Sequence, residues 1–212
     1  MSYTQTVDAI VLRTFDIGEA DRFCLLFTRE KGRVAARATA VRKPKSSMGG
    51  ALLPCQYVTV QLKEWKNGYI IQSAETRDLL GVHRASIRWF TEAQQAMELL
   101  MGLTQDDEPL PDVFHATLRF LAVCGDDDAF FLLAYTIRLL HLLGLLPAES
   151  HVAASYGLLP EDLAFLQAAR RGALDSLPPL SVSHRLQVFC DGMMQGQLSS
   201  PLKAPAIAAA ME

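Results

Sequence analysis

The chain has 212 residues, half of them hydrophobic and a fifth charged, with 13 Gly and 10 Pro, which excludes a disordered or fibrous chain and fits a globular protein with a sizeable core. The net charge of −3 conceals an asymmetry: residues 1–88 carry 14 Lys and Arg against 8 Asp and Glu, and residues 89–212 carry 6 against 15. That imbalance predicts two units with different partners, the basic one suited to a polyanion, with two plainly solvated halves as the bland alternative.

The basic half reads as strands. Thr6–Arg13 and Phe23–Thr28 are β-rich runs, the second too continuous to be half exposed. Arg33–Val41 alternates, with Val34, Ala36, Ala38 and Ala40 on one face and Arg33, Arg37, Thr39 and Val41 on the other. Gln56–Trp65 alternates too, and Tyr69–Thr76 follows the turn Lys66-Asn67-Gly68, whose Asn-Gly pair signals a hairpin. Arg29-Glu30-Lys31-Gly32 joins the second and third strands in the same way. Five short strands with tight turns and no intervening helix predict a small antiparallel barrel or sandwich.

From about Asp78–Arg88 the period changes from two to 3.6. Trp89–Leu103 places Phe90, Ala93, Met97, Leu100 and Met101 on one helical stripe, and Asp112–Val123 and Ala129–Leu146 continue in this style. Asp126–Asp128 favour a helix start, a better account of these adjacent carboxylates than a Mg²⁺ cluster. Asp106-Asp107-Glu108 reads as a solvated loop. Pro160 with Glu161 and Asp162 opens another helix, and Gly172 ends it. Ser181–Met194, capped by Ser181 or Ser183, is a further helix, and Pro201–Met211 a short last one. The expected division is a barrel at 1–80 and an all-α domain at 81–212.

The apolar stretches Ala129–Leu133 and Leu139–Leu146 fall short of the roughly 20 residues of a spanning helix. Met1–Val7 lacks the pattern of a secretion signal, so a cytoplasmic protein without membrane contact is expected. Cys24, Cys55, Cys124 and Cys190, with His83, His115, His141, His151 and His184, form no CxxC, CxxH or HxxxH pair. Four reduced, mostly buried thiols and no metal or cofactor are expected. Phosphate-binding loops and the nucleophile elbow are missing, which argues against an enzyme.

The densest signal is the run Arg29–Lys45, with seven basic residues and one acid, Glu30. It crosses a hairpin, follows the polar face of a strand and ends in the loop RKPKSSMGG, which reads as flexible. Such a groove suits phosphates, and the plainer alternative is a solvated face. Phe15, Phe23, Tyr57, Trp65 and Tyr69 are the aromatics able to stack on bases. For each one barrel core is the plainer assignment, least so for Trp65 and Tyr69 beside an exposed-looking hairpin.

The order of Ala9–Arg13 (AIVLR), Glu19-Ala20-Asp21-Arg22, Leu26–Gly32 (LFTREKG), Ala40–Lys45 (AVRKPK) and Ser46–Pro54 (SSMGGALLP) resembles the N-terminal domain of the bacterial RecO recombination mediators. The likeness covers roughly the first 80 residues. The remainder matches loosely, through Arg138-Leu139-Leu140 with Gly144 and Pro147 and through Pro201-Leu202-Lys203. The resemblance implies an OB-fold followed by a helical domain. It also implies binding of single- and double-stranded DNA, annealing of complementary strands, and capture of the acidic C-terminal tail of single-stranded DNA-binding protein (SSB). RecR, and in many systems RecF, are the implied partners in loading RecA, with action at the nucleoid. Many relatives carry paired CxxC motifs for a structural zinc, whereas Ala148–Leu159 has none, so a zinc-free, trimmed helical domain is expected.

The residues expected to hold DNA are Arg33, Arg37, Arg42, Lys43 and Lys45, then Arg13 and Arg22, with Trp65 and Tyr69 for stacking. Arg138 interrupts an apolar helix and, with Arg119 on the preceding helix, is the expected clamp for an acidic tail over a pocket of Phe131 and Leu142. Its plainer reading is a surface arginine with a buried stem. The alternative function is a protein–protein adaptor touching nucleic acid only incidentally; a nuclease lacks a carboxylate cluster.

Overall fold

The computed structural model describes residues 3–66, 68–77, 86–125, 130–147, 155–172, 174–179 and 184–195. Asn67, His83, Asp126–Asp128, Ala148–His151, Ser181, Ser183, and the tail with Pro201-Leu202-Lys203 therefore lie outside the described residues.

Five strands come first: β1 (Thr4–Ile17), β2 (Asp21–Thr28), β3 (Gly32–Ala38), β4 (Tyr57–Trp65) and β5 (Gly68–Thr76). They close into a barrel in the order β1-β2-β3-β5-β4. The expected antiparallel barrel needs one correction, because β3 and β5 pair in parallel through Ala36–Ala38 and Tyr69–Ile71. This junction closes the barrel, so no hairpin is available to set its direction.

The interior is built by alternation. Val7, Ala9 and Val11 of β1, Cys24 and Leu26 of β2, Val34, Ala36 and Ala38 of β3, Val58, Val60 and Leu62 of β4, and Ile71 and Ala74 of β5 point inward. Many are small, as a narrow five-stranded barrel requires. Leu52 and Val41 plug one end from the 39–56 connection. Each fully buried Val, Leu or Ile contributes about 1.5–3 kcal/mol. A bulge between Val11 and Arg13 inserts Leu12 without a partner on β2. The alternation of β1 is thereby reversed: Val11 and Thr14 face inward, while Arg13 and Phe15 face out.

The Thr28 hydroxyl fixes the β2–β3 turn, accepting from the Lys31 N–H and donating to the Gly32 carbonyl, both at 3.0 Å. Alternation on β3 stops at Ala38; Ala40 turns with φ +54° and Val41, expected on the polar face, is buried. The 39–56 connection is stitched down rather than loose. Arg42 N–H bonds the Ala20 carbonyl, Ser46 N–H that of Lys43, and Cys55 N–H that of Val11.

The helices are α1 (Ile87–Leu103), α2 (Pro111–Val123), α3 (Phe131–Leu142), α4 (Pro160–Arg171) and α5 (His184–Gln195). None among the described residues is long and apolar enough to cross a membrane. The chain forms two compact units, Met1–Val82 with Thr104–Phe114, and His83–Leu103 with His115–Glu212. Sequence places Thr104–Phe114 with the helices; its packing places it with the barrel. Phe114 meets Phe27 and Tyr57, with ring centroids 6.1 Å away in each case.

In the second unit, α1 buries Trp89, Ala93, Ala96, Met97, Leu99 and Leu100, while Phe90 is exposed. Of the expected stripe, Ala93, Met97 and Leu100 are buried, while Phe90 gives way to Trp89. The Trp89 indole decides it, donating to the Leu121 carbonyl at 3.0 Å. Phe120 stacks on Tyr135 at 4.6 Å, and the Thr117 and Tyr135 hydroxyls are 2.9 Å apart, which ties α2 to α3. Helix α4 begins at Pro160 and ends at Gly172 with φ +75°, as its sequence dictates. The buried Asp162 carboxylate accepts the Leu159 N–H at 2.8 Å and the Arg185 Nε–H at 2.7 Å, joining α4 to α5.

Candidate nucleic-acid interface

The outer face of the barrel can be read row by row from strand register. Arg13 lies opposite Leu25, and Leu25 opposite Ala35. Phe15 lies opposite Phe23, Phe23 opposite Arg37, and Arg37 opposite Ile70. The row of Ile10, Phe27 and Arg33 comes next and is covered in part by Phe114. Arg13, Phe15, Phe23 and Arg37 therefore share one surface, although they come from three strands.

The basic run looks different once folded, because acids from elsewhere in the unit interleave with it. Arg37 grips Asp21 through Nη2 at 2.6 Å and Nε at 3.0 Å, and the other Asp21 oxygen accepts the Ala40 N–H at 2.8 Å. The Ala40 N–H first, and the Arg37 guanidinium second, hold the Asp21 carboxyl below its ordinary 3.8. Asp21 thus fixes both Arg37 and the left-handed turn that leads into Arg42–Lys45. Arg33 Nε donates to Asp106 at 2.5 Å. Arg42 reaches Asp16 at 3.3 Å and donates to the Gly18 carbonyl at 3.0 Å. Arg22 bonds Asp16 at 3.1 Å and the Leu52 carbonyl at 3.0 Å, so its guanidinium serves to hold the loop that plugs the barrel. Arg29 pairs with Glu30 at 2.7 Å. Lys43 and Lys45 are exposed in the stitched connection.

Three other cations sit on aromatic rings. Arg13 lies 4.8 Å over Phe15, Lys31 5.2 Å over Tyr69 with its ammonium 3.2 Å from the phenol oxygen, and Lys66 4.7 Å over Trp65. A ring holds a cation without neutralising it, whereas a cation in an exposed ion pair meets a ligand only in competition with its carboxylate. Arg33, Lys66, Tyr69, Asp106 and Asp107 share a cavity of about 410 Å³ beside the β4–β5 hairpin. Phe15, read as core from sequence, is 46% exposed. Lys66 directly follows Trp65, a signal that sequence carries, whereas Lys31 reaches Tyr69 from 38 positions away, a pairing that only the fold reveals.

On the helical unit, Arg138 lies on one stripe of α3 with Phe131 and Leu142, all three half-buried. Its guanidinium donates to the Arg170 carbonyl at the end of α4 and passes beside Gly172, completing that helix end with a cation. His141 stands close by: burial, then Arg170, then Arg138 hold its imidazole below the ordinary 6.5. Arg119 is exposed, about 200° around α2 from Thr117 and 100° from Phe120, the residues that meet Tyr135. The structure therefore brings Arg138 together with His141 and Arg170 rather than with Arg119. Among the described residues, no three His, Cys, Asp or Glu side chains are grouped to hold a metal ion.

Family models describe the same two-part organisation. "Recombination protein O N terminal" matches residues 1–80, and "Recombination protein O C terminal" matches residues 84–157. The chain belongs to the RecO family. It is 34% identical over 165 residues to a DNA repair protein RecO of Myxococcus xanthus, covering 76% of this chain and 67% of that protein. It is 31% identical over 159 residues to the Pelotomaculum thermopropionicum RecO, covering 74% of this chain and 62% of that one. The Syntrophotalea carbinolica RecO is 30% identical over 206 residues, covering 93% and 77%. The match to the Pelotomaculum protein thus leaves more than a third of its length uncovered.

Proposed function

We propose that this RecO-family chain is a non-catalytic mediator in DNA repair and recombination. It binds single- and double-stranded DNA on the outer face of its barrel and anneals complementary strands. The observation that carries the reading is the outer surface itself, with Arg13, Lys31 and Lys66 on aromatic rings and exposed Lys43 and Lys45 nearby in sequence. These side chains suit the sugar-phosphate backbone, which carries charge but no sequence information, as strand annealing requires.

The helical unit takes the acidic C-terminal tail of SSB. A receptor for acids ending in an apolar residue needs cations over apolar surface. Arg138 and Arg170 supply the cations, with the His141 imidazole beside them held toward its neutral form, and Phe131 and Leu142 supply the surface; Arg119 adds charge at a distance. Tail capture brings the barrel to SSB-covered strands, where RecR, and RecF where present, assist in loading RecA. This activity belongs at the nucleoid in the cytoplasm.

Annealing of complementary strands by the purified protein, with and without SSB, tests the proposal. Acceleration of pairing, retained when SSB coats both strands, is the expected result. Failure to bind or pair DNA, together with retained capture of SSB, makes the chain a protein–protein adaptor and overturns the reading.

A further inference from the structure

Phe15 and Phe23 are the outer-face aromatics that packing leaves unexplained. They stand directly opposite each other on β1 and β2, so their Cβ atoms are about 4.5–5.5 Å apart. Phe15 is 46% exposed and contributes nothing to the barrel interior. Its position follows from the Leu12 bulge, without which Phe15 would point inward. The pair is flanked by cations: Arg13 lies over the Phe15 ring, and Arg37 lies opposite Phe23 on β3, oriented by its two bonds to Asp21. A ligand matching this surface presents flat π-faces with anions along one side.

We infer that Phe15 and Phe23 form a stacking platform for unpaired nucleobases, through which the barrel prefers single strands to duplex. The inference rests on the DNA-binding reading above and adds to it the form of DNA recognised. In a duplex the base faces are covered by their neighbours, so only the phosphates reach the surface, and the rings gain nothing. In a single strand successive bases can open onto the two rings while their phosphates meet Arg13 and, in competition with Asp21, Arg37.

The test uses the full chain and three probes: a strand of about 30 nucleotides, the corresponding duplex, and an abasic strand of that length. Phe15→Ala is expected to weaken single-strand binding roughly five-fold or more while changing duplex and abasic-strand binding less than about two-fold. Phe15→Tyr should restore the single-strand affinity, and unchanged duplex binding shows that Phe15→Ala folds. Equal losses on all three probes, or no loss on any, overturn the platform and leave the DNA-binding reading standing. Unchanged DNA binding with lost binding to SSB or RecR assigns the rings to a protein partner and also overturns it. If the parent chain binds none of the probes, both readings fall.

Discussion

Arg33 on β3 and Asp106, separated by 73 positions in sequence, meet at 2.5 Å, and the Asp107 N–H bonds the Arg33 carbonyl at 3.0 Å. The acidic segment thus runs along the edge of β3 that β5 leaves open. Asp106 occupies on Arg33 the place a phosphate oxygen would take. Its side chain is well exposed, so the pair itself is worth at most about 1 kcal/mol. Asp106→Asn is therefore expected to leave stability within about 0.5 kcal/mol of the parent. It should also raise single-strand affinity roughly two- to five-fold at low salt, by removing a carboxylate that competes with phosphate for Arg33. Glu75→Gln, the same charge change elsewhere on the barrel unit, is the control. Equal gains from both variants would reduce the effect to net charge.

The close approach of this segment depends on Gly32. Its φ is +68°, and a Cβ there would lie 1.8 Å from the Glu108 carbonyl oxygen. Backbone cannot yield as a flexible side chain can. Gly32→Ala should cost about 2 kcal/mol or more in urea unfolding. A cost below about 0.5 kcal/mol would mean that Thr104–Phe114 is held to the barrel by something other than this contact.

The four cysteines are buried, and none forms a disulfide. Burial pushes the Cys24 thiol up to about 11 and the Cys190 thiol up to about 12. Thiolate is the reactive form, so a disulfide reagent at neutral pH should label the native chain slowly and all 4 thiols quickly in denaturant. Rapid labelling of Cys24 in the native protein would contradict the closed barrel.

His141 offers a readout for the helical unit. Its folded pKa lies below 6.5, so the unfolded chain binds more protons just beneath that pH. The contribution is present above pH 6.5 and is lost as the pH falls toward the folded value. Removing a neighbouring cation with Arg138→Gln should move the imidazole titration upward, though not to its ordinary value, because burial is the first cause. An SSB tail peptide seated on Arg138 and Arg170 should also raise it. A His141 titration unmoved by saturating peptide would place the tail elsewhere.

Much of the barrel was legible because alternation at period two is a direct consequence of burying one face of a strand. Gly172 and Pro160 were legible for local reasons, a left-handed helix end and a fixed φ. Phe15 was not. The bulge at Leu12 depends on pairing with β2, and no residue of β1 signals it alone. The basic run was seen, but its neutralisation was not, since Asp16, Asp21 and Asp106 reach their arginines through strand register and a distant segment. Asp106-Asp107-Glu108 likewise reads as a solvated loop until Arg33 and Gly32 are placed beside it. Phe90 and Trp89 are adjacent, so sequence does not decide which joins the α1 stripe; the indole's bond to the Leu121 carbonyl does.

The most direct test of the central claim, that the barrel's outer face holds the phosphate backbone, is the dependence of single-strand affinity on salt. Each phosphate neutralised contributes about 0.7 to the slope of log affinity against log salt. Replacing Arg13, Lys31 and Lys66 together by Gln should therefore flatten that slope by about 2, while Arg119→Gln on the helical unit leaves it unchanged. A slope that does not move with the barrel variant, or that moves equally with Arg119→Gln, would contradict the account.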